Sequence, residues 1–260
     1  RKESSAASDV YKRQDPGNMQ TTAVRDGDEW VLNGTKRWIG LGTIADIAIV
    51  WARSDEGVRG FIVPTDTPGF SAEVLEPKAS MRASIQTELH LDNVRLSEEH
   101  RLPEAKSLRA PFECLNEARY GITWGAIGAA RDAFNTAANY ADERKQFNKP
   151  LSAFQLTQQK LVNMALELNK AQLLALQIGR LKDAGKLERH MISVGKLNNC
   201  RIAIDICREA RTILGGNGIL LDQSIMRHAN NLESVRTYEG TDEVHTLILG
   251  QHLTGQNAFA

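Results

Sequence analysis

The chain has 260 residues, which is enough for one large domain or for two smaller domains with hydrophobic cores. Lysine plus arginine and aspartate plus glutamate both number 32, so no net charge draws the chain to nucleic acid or to anionic lipid. No apolar run reaches the ~18 residues that a membrane-spanning helix requires.

Residues 1–14 (RKESSAASDVYKRQ) are polar and small, without any hydrophobic periodicity. They lack the apolar stretch of a secretory signal. We predict that this segment is a disordered or foreign leader, and it takes no part in the predicted fold.

Residues 15–105 carry the pattern of a β-domain. Residues 29–32 lead into Asn33-Gly34, which predicts a tight turn, and residues 35–39 follow as the next strand. Further short apolar or alternating runs lie at residues 47–52, 60–63 and 88–92. Because no helical run interrupts these strands, we predict an antiparallel domain that is barrel-like or sandwich-like.

Residues 106–260 change to a helical pattern. Apolar residues recur at helical spacing over residues 111–140, 151–182, 187–214, 225–235 and 244–253. The first of these runs contains Gly121, Gly125 and Gly128, which indicates the close approach of a neighbouring helix or a ligand. Long helices with short connections predict an up-and-down bundle, so the whole chain is expected to be α+β.

The three cysteines, Cys114, Cys200 and Cys207, are an odd number in apolar, helix-like surroundings. We interpret them as buried free thiols of a reducing compartment, because a disulfide framework needs pairs. The sequence contains neither Cys-x-x-Cys nor His-Glu-x-x-His, so we predict no metal site.

One carboxylate stands out near the C-terminus, in the segment Thr237-Tyr238-Glu239-Gly240-Thr241 between two helical runs. A lone glutamate before a glycine is in most cases a surface charge. The aromatic and apolar neighbours of Glu239 favour a different interpretation, since burial raises the pKa of a carboxyl group towards the value that suits a general base.

The same segment, followed by His245 and residues 247–250, resembles the C-terminal signature of acyl-CoA dehydrogenases, and most of all the glutaryl-CoA dehydrogenase branch. The resemblance runs from Asp15 to Ala260 and implies that the family's N-terminal helical domain is missing. In that family the position of Glu239 is the base that removes the α-proton of an acyl-CoA thioester, while a hydride leaves the β-carbon for FAD. The resemblance assigns Thr241, Asp242 and Glu243 to the cofactor.

Residues 214–218 (LGGNG) form a glycine-rich turn that is usually only a helix C-cap. The turn is neither a Walker loop nor a Rossmann fingerprint, since it follows a helix and lacks the Lys-Ser/Thr pair. At this spacing before Glu239 it resembles the family motif that contacts the flavin cofactor. The resemblance assigns that contact to Thr212, Ile213, Leu214, Gly215 and Gly216.

The segment 144–155 is the third match. A charged helix end beside a polar turn is commonly a solvated surface. The resemblance instead makes Arg144 a partner of the cofactor pyrophosphate, Phe147 an apolar wall and Gln155 a further contact. An arginine suits this role because its planar guanidinium matches phosphate oxygens. In the family these contacts cross a subunit boundary, which implies a homotetramer.

Trp38-Ile39-Gly40 stands where the family usually has Trp-Ile-Thr, the segment that packs the flavin ring. Trp38 could equally be part of the β-domain core. Gly40 removes a hydroxyl that would donate to the flavin, and some acyl-CoA oxidases are similar at this position. The departure leaves both dehydrogenase and oxidase chemistry open.

Residues 112–119 (FECLNEAR) resemble the segment that runs beside the CoA thioester, although a buried arginine is more commonly an ion-pair partner. The resemblance assigns substrate contacts to Phe112, Leu115, Asn116, Arg119, Tyr238, Gly240 and Phe259.

The leading hypothesis is an FAD-dependent acyl-CoA dehydrogenase that acts on glutaryl-CoA, with possible decarboxylation to crotonyl-CoA, and that passes electrons to an electron-transfer flavoprotein. The alternatives are a short-chain acyl-CoA oxidase and a truncated, non-catalytic helical oligomerisation remnant. The expected location is the bacterial cytoplasm, or the mitochondrial matrix in a eukaryote.

Overall fold

The computed structural model describes residues 19–258, so the predicted leader at residues 1–14 and Phe259 lie outside the described part. The chain divides into two compact units, Arg1–Cys114 and Leu115–Ala260. The division falls inside the first long helix, and the predicted boundary at residue 105 stays a prediction. Each unit is described by itself below.

The first unit contains a six-stranded sheet in the order β4-β3-β1-β2-β6-β5. Its strands are β1 (Thr22–Asp26), β2 (Glu29–Gly40), β3 (Ile47–Ser54), β4 (Gly57–Pro64), β5 (Phe70–Val74) and β6 (Gln86–Ser97). Apolar side chains that alternate along these strands form one core, which includes Trp30, Leu32, Phe61 and Val94.

The sheet is mixed, whereas an antiparallel sheet was predicted. The prediction was wrong for one pair of neighbouring strands. Strands β1 and β3 pair in parallel, with Thr22 opposite Arg53, whereas the other neighbours in the sheet are antiparallel. Hydrophobic alternation looks the same in both directions, so the sequence pattern could not distinguish this pair.

The tight turn predicted at Asn33-Gly34 was also wrong. Both residues lie inside β2, and the hairpin between β1 and β2 turns instead at Gly27, between paired Asp26 and Glu29. Gly34 marks a shift in the pairing with β6 and has φ +140. A Cβ at Gly34 would lie 2.8 Å from the Thr21 Cα, so this glycine permits a close backbone approach at a bulge.

The second unit contains most of five α-helices, the first of which begins before the division. They are α1 (Arg109–Glu143), α2 (Gln155–Asp183), α3 (Arg189–Leu214), α4 (Ser224–Val235) and α5 (Asp242–Thr254). A short hairpin of β7 (Lys145–Gln146) and β8 (Lys149–Pro150) joins α1 to α2. The predicted helical runs and the α+β class are therefore confirmed.

The first three helices run up, down and up. The Lys182 amine at the end of α2 is 2.6 Å from the Glu117 carboxylate near the start of α1. The Lys160 amine near the start of α2 is 3.0 Å from the Glu209 carboxylate near the end of α3. Helix α2 is therefore antiparallel to both neighbours, as expected for an up-and-down bundle.

Small residues on α1 pack into the core of the bundle, where Ala126, Ala130, Ala133 and Ala137 are buried with Met164. The predicted close approach of a neighbouring helix at Gly121, Gly125 and Gly128 is wrong among residues 19–258, since a Cβ at any of these glycines would meet nothing within 4 Å. The alternative of a ligand there stays a prediction. Those three glycines lie on an exposed face of α1.

The described helices include none that is both long and apolar enough to cross a membrane. Residues 19–258 also bring together no group of three His, Cys, Asp or Glu side chains that could hold a metal ion. The described cysteines are free thiols, and the predicted burial is confirmed for Cys200 and Cys207 in α3. It was wrong for Cys114, which is exposed near the start of α1.

Candidate active site

Glu239 lies in the short connection between α4 and α5, in an unusual backbone conformation. Its φ is +53, in the left-handed region that residues other than glycine seldom adopt. The next residue, Gly240, has φ +97, and a Cβ there would lie 2.9 Å from His245 Nε2. A non-glycine residue in such a conformation costs about 1–3 kcal/mol and persists only where its surroundings fix it.

Two buried cations fix this connection. The Arg119 guanidinium on α1 donates from Nε to the Glu239 carbonyl at 2.7 Å. The Lys196 ammonium on α3 donates to the carbonyls of Tyr238 and Gly240, each at 2.5 Å. Three consecutive carbonyls are therefore held by positive charge, and such charge-assisted hydrogen bonds are stronger than neutral ones.

The Glu239 carboxyl group lies partly out of water. The residue is half-buried, and its Oε2 is buried without a hydrogen-bond partner among the described residues. Burial raises the pKa of Glu239 above its ordinary value, whereas the Lys196 and Arg119 charges act to lower it. A carboxylate with one oxygen shielded from water and unpaired is suited to take a proton from another molecule.

Burial also changes the ionisation of the neighbouring groups. It lowers the pKa of Lys196 to about 8 and the pKa of His245 to about 3, so His245 is neutral near pH 7. His245 Nδ1 lies 2.9 Å from the Ser193 hydroxyl. Lys196 and Arg119 are therefore the cations closest to the candidate base.

The start of α5 anchors the other side of Glu239. Thr241 caps the helix by accepting from the Val244 backbone N–H at 3.4 Å. The buried Asp242 carboxylate accepts from Arg201 at 3.1 Å and from Arg236 at 2.5 Å. These contacts place Thr241 and Asp242 in the structural support of the connection. Their predicted role at the cofactor, and that of exposed Glu243, stays a prediction.

Several predicted substrate residues lie on α1, the helix that also carries Arg119. The Asn116 side-chain oxygen accepts from Arg119 at 3.5 Å, and Leu115 is half-buried beside it in sequence. Phe112 lies one turn earlier on the same helix. Tyr238 is 41% exposed, so its ring is accessible next to the base.

A second cluster of predicted site residues lies at the opposite end of the helical unit. Arg144 directly follows α1 and is exposed. Phe147 and Asn148 form the two-residue turn of the β7–β8 hairpin, both with positive φ, and Phe147 is 89% exposed. Gln155 is exposed at the start of α2.

The glycine-rich turn joins this second cluster. The Asn217 amide donates to the Tyr140 hydroxyl at 3.0 Å, which ties the end of α3 to the end of α1. Ile213 and Leu214 are buried, whereas Thr212, Gly215 and Gly216 are exposed. A Cβ at Gly215 or Gly216 would meet nothing within 4 Å, so the backbone of the turn is open to a ligand.

The two clusters are far apart within one chain. Arg119 and Arg144 are 25 positions apart along α1 and its end. At 1.5 Å of rise per residue, this separation is about 37 Å. We call the surroundings of Glu239, Arg119 and Lys196 the base end, and the surroundings of Arg144, Phe147 and the glycine-rich turn the hairpin end.

The third predicted group, Trp38-Ile39-Gly40, lies in the sheet of the first unit. Trp38 occupies a shift in the pairing between β2 and β6 and has φ +65. Its ring is 48% exposed, with the Arg37 guanidinium 6.0 Å from the ring centre. Ile39 packs against the sheet core, and Gly40 is exposed. Strained bulges of this kind concentrate at functional sites.

Two family profiles match the chain. The profile of the acyl-CoA dehydrogenase C-terminal domain matches residues 108–254, and that of the acyl-CoA dehydrogenase middle domain matches residues 4–94. The chain belongs to the acyl-CoA dehydrogenase family. The second match begins inside the predicted leader, whose foreign origin stays a prediction.

Solved structures and curated relatives agree with this membership. The glutaryl-CoA dehydrogenase of Mycobacterium smegmatis is 60% identical, with a TM-score of 0.93 over 95% of this chain and 64% of that one. A glutaryl-CoA dehydrogenase of the same organism in complex with FADH2 is 58% identical, with a TM-score of 0.93 over 94% of this chain and 64% of that one. The human mitochondrial short-chain specific acyl-CoA dehydrogenase is 35% identical over 254 residues, which cover 95% of this chain and 62% of the relative. The chain therefore spans less than two thirds of the length of these relatives.

Sequence reasoning missed the part of this family member's site that α3 supplies. Lys196 and Asn199 are 1% and 0% exposed, and Ser193 is also buried. The sequence contained a signal for this part of the site. Ser193, Lys196 and Asn199 recur every three positions and lie on the same buried face of α3 as Ile192 and Cys200. A lysine at a core position of an amphipathic helix is rare unless it has partners.

Proposed function

We propose that the chain is the middle and C-terminal part of an FAD-dependent acyl-CoA dehydrogenase of the glutaryl-CoA dehydrogenase class. The observation that carries the proposal is the Glu239 carboxyl group, with one oxygen buried and unpaired and its backbone held by Arg119 and Lys196. The 60% identity to a mycobacterial glutaryl-CoA dehydrogenase supports the substrate class.

In this proposal Glu239 removes the α-proton of the acyl-CoA thioester. The proton moves to the Glu239 carboxylate, the electron pair of that C–H bond forms the new C=C bond, and the hydride of the β-carbon leaves with its own electron pair. Bound FAD supplies the acceptor for that hydride. The partly dry surroundings of Glu239 favour the transfer, because they raise the pKa of the carboxyl group towards the working pH.

The residues of this chain fit a flavin dinucleotide. The exposed ring of Trp38 offers a flat apolar surface on a rigid bulge, and aromatic rings stack well on such surfaces. The exposed Arg144 offers a planar guanidinium to a pyrophosphate, and the exposed backbone at Gly215 and Gly216 leaves space for a ligand to approach the turn closely. In this proposal Ile213 and Leu214 support that turn, and Phe147 and Gln155 flank it.

We further propose a homotetramer in which each cofactor is held by two chains. The base end and the hairpin end are about 37 Å apart along α1. A single dinucleotide that meets Arg144 of one chain would not reach Glu239 of the same chain. The exposure of Phe147, at 89%, suits a side chain that packs against a neighbouring subunit.

We propose glutaryl-CoA as the acyl-CoA substrate, with decarboxylation to crotonyl-CoA, and an electron-transfer flavoprotein as the electron acceptor. A structure described as an electron transferring flavoprotein of Acidaminococcus fermentans is 30% identical, with a TM-score of 0.87 over 92% of this chain and 65% of that one. The support for glutaryl-CoA is the identity to the mycobacterial glutaryl-CoA dehydrogenases.

Anaerobic reduction of the bound flavin tests the proposal. The purified chain should be yellow, and glutaryl-CoA should bleach the visible flavin bands faster than butyryl-CoA does at the same concentration. Yellow protein that neither thioester bleaches would contradict the proposed activity. Colourless protein that binds no added FAD would favour the oligomerisation remnant.

A short-chain acyl-CoA oxidase is the second candidate, because Gly40 replaces the threonine usual in the family. A Cβ at Gly40 would be 3.9 Å from the Gln86 side chain, so a larger residue fits there without a clash. Peroxide that forms in step with substrate, without an added acceptor, would favour the oxidase. Substitution of Gly40 by threonine should then lower the rate of reaction with oxygen.

A further inference from the structure

We propose that Lys196 is a positioning residue for the base, one that holds Glu239 in its left-handed conformation and keeps its carboxyl group ionised. The kinetic part of this inference rests on the proposed function. The structural part concerns Lys196 and Glu239 alone.

The placement of Lys196 is unusual for a lysine. The residue is 1% exposed, and its ammonium forms no ion pair with a carboxylate of residues 19–258. Its two hydrogen bonds go instead to the backbone carbonyls of Tyr238 and Gly240, each at 2.5 Å. Burial of a charge costs free energy unless the charge is compensated. A buried ammonium whose hydrogen bonds go to two backbone carbonyls therefore calls for a functional explanation.

The two carbonyls that Lys196 binds lie on either side of the candidate base, Glu239. Tyr238 and Gly240 stand on either side of Glu239, whose own carbonyl accepts from Arg119. The ammonium donates hydrogen bonds to the carbonyls of both neighbouring residues and thereby restrains the backbone dihedral angles on each side of Glu239. This restraint maintains the φ of +53 at Glu239. Arg119 holds only the central carbonyl. The two cations therefore have different tasks.

The charge of Lys196 acts on the Glu239 carboxyl group as well. Burial raises the pKa of Glu239, and Lys196 and Arg119 oppose that rise. Other charged or titratable groups lie around Lys196 on three helices. They are Cys200 on α3, Arg119 on α1, and Asp242 and His245 on α5. His245 is neutral near pH 7, because burial lowers its pKa to about 3. The Lys196 charge is therefore a main factor that opposes the rise of the Glu239 pKa caused by burial.

The test uses three variants of the full chain. Lys196→Met removes the ammonium and both hydrogen bonds, and Lys196→Arg keeps a positive donor at the site. Lys170→Met is the matched control, because Lys170 lies exposed on α2 and pairs only with Glu167 one turn away. Lys196→Gln, which keeps one donor of similar length, replaces Lys196→Met if the methionine variant does not fold.

The primary measurement is the pH titration of the Glu239 carboxyl carbon by NMR in the chain without substrate, assigned by its absence in Glu239→Gln. We expect the Glu239 pKa to rise by about 1 unit in Lys196→Met, since an opposite charge at close range shifts a carboxyl pKa by about 1–3 units. The pKa should stay at the parent value in Lys170→Met and nearly so in Lys196→Arg. A folded Lys196→Met or Lys196→Gln variant that titrates like the parent would overturn the proposal.

The kinetic measurement separates this inference from the proposed function. With glutaryl-CoA, Lys196→Met should lower kcat by about 10–10²-fold with little change in KM, as misplacement of a catalytic group does. The acid limb of its kcat profile should move to higher pH, a change that lost stability alone would not produce. A parent chain without any turnover would sink the proposed function, and the NMR titration would still decide the role of Lys196.

Discussion

The two ends of the helical unit are built for different tasks. At the base end, buried cations hold the backbone around Glu239, and a Cβ at Gly240 would clash with His245. At the hairpin end, Arg144 and Phe147 are exposed, and a Cβ at Gly215 or Gly216 would meet nothing within 4 Å. The supports of the first end are therefore buried within the helical unit, whereas the second end presents exposed side chains and backbone.

This contrast has a physical reason. A base must be held rigidly and kept from water, so its supports are buried and expensive to change. A surface that binds the polar part of a dinucleotide needs accessible donors and open backbone, and it becomes ordered on binding. Mutations should therefore affect chemistry and folding at the base end, and cofactor affinity at the hairpin end.

The largest expected effect is at Glu239. The Glu239→Gln variant should bind flavin as the parent does but lose about 10²–10⁴-fold in turnover with glutaryl-CoA, because an acid–base group is deleted without a change of shape. Visible spectra and stopped-flow reduction of the flavin measure the two properties. Glu167→Gln, a change at a half-exposed position of α2, serves as the control. Near-normal turnover in Glu239→Gln would show that Glu239 is not the base.

At the hairpin end, Arg144→Ala should act on the cofactor. Loss of a charge-assisted contact should weaken FAD binding by about 10–10²-fold, since such hydrogen bonds contribute about 1.5–3 kcal/mol. Fluorescence titration of the flavin-free chain with FAD measures the change, and exposed Arg180→Ala is the control. Unchanged FAD affinity would show that the hairpin end does not meet the cofactor.

Two glycine substitutions compare the ends by stability alone. Gly240→Ala should lower the free energy of unfolding by about 1–3 kcal/mol, since Gly240 has φ +97 and a Cβ would lie 2.9 Å from His245. Gly216→Ala should change it by no more than about 0.5 kcal/mol, because a Cβ there meets nothing within 4 Å. Thermal or urea unfolding of the two variants measures both values, and equal losses would contradict the contrast between the ends.

The smallest expected effect concerns the link between α1 and α4. The Asp132 carboxylate accepts from the Ser224 hydroxyl and from His228, and these contacts lower the pKa of Asp132. Because the folded pKa is below the unfolded value of ~3.9, the stabilisation is fully present above that pH and is lost as the pH falls through the folded pKa.

Asp132 is half exposed, so we expect Asp132→Asn to cost only about 0.2–1 kcal/mol near neutral pH. Urea unfolding at a series of pH values should show this difference shrinking below pH ~4. A difference that persists at lower pH would mean that the lost contact does not depend on the charge of Asp132.

The helices were predictable because their apolar residues recur every three or four positions. The run predicted at 187–214 became α3 at Arg189–Leu214, and the run at 225–235 became α4 at Ser224–Val235. The burial of one face determines where these helices form, and the apolar periodicity of the sequence indicates which face is buried. Glu239 could be selected for the same reason, from its apolar neighbours and the family resemblance.

The rest depended on contacts between distant residues. Asn33-Gly34 has the composition of a hairpin turn, but both residues lie inside β2. Asn33 pairs with Thr22 of β1, and Gly34 approaches Thr21 closely and pairs with Leu91 of β6. Lys196 is 43 positions before Glu239, and its two carbonyl partners become visible only when α3 is packed beside the connection. Local propensity cannot report such long-range contacts.

Hybrid oligomers test most directly the claim that the two ends serve one site through two chains. Differently tagged Glu239→Gln and Arg144→Ala chains are refolded together at limiting FAD, and the hybrids are isolated by tandem purification. If the base end of one chain works with the hairpin end of its neighbour, each hybrid contains an intact site. For random pairing in a twofold assembly, the mixture before isolation should then recover about a quarter of the parent activity, and the isolated hybrids about half. Hybrids that form but remain as inactive as either parent variant would contradict the account.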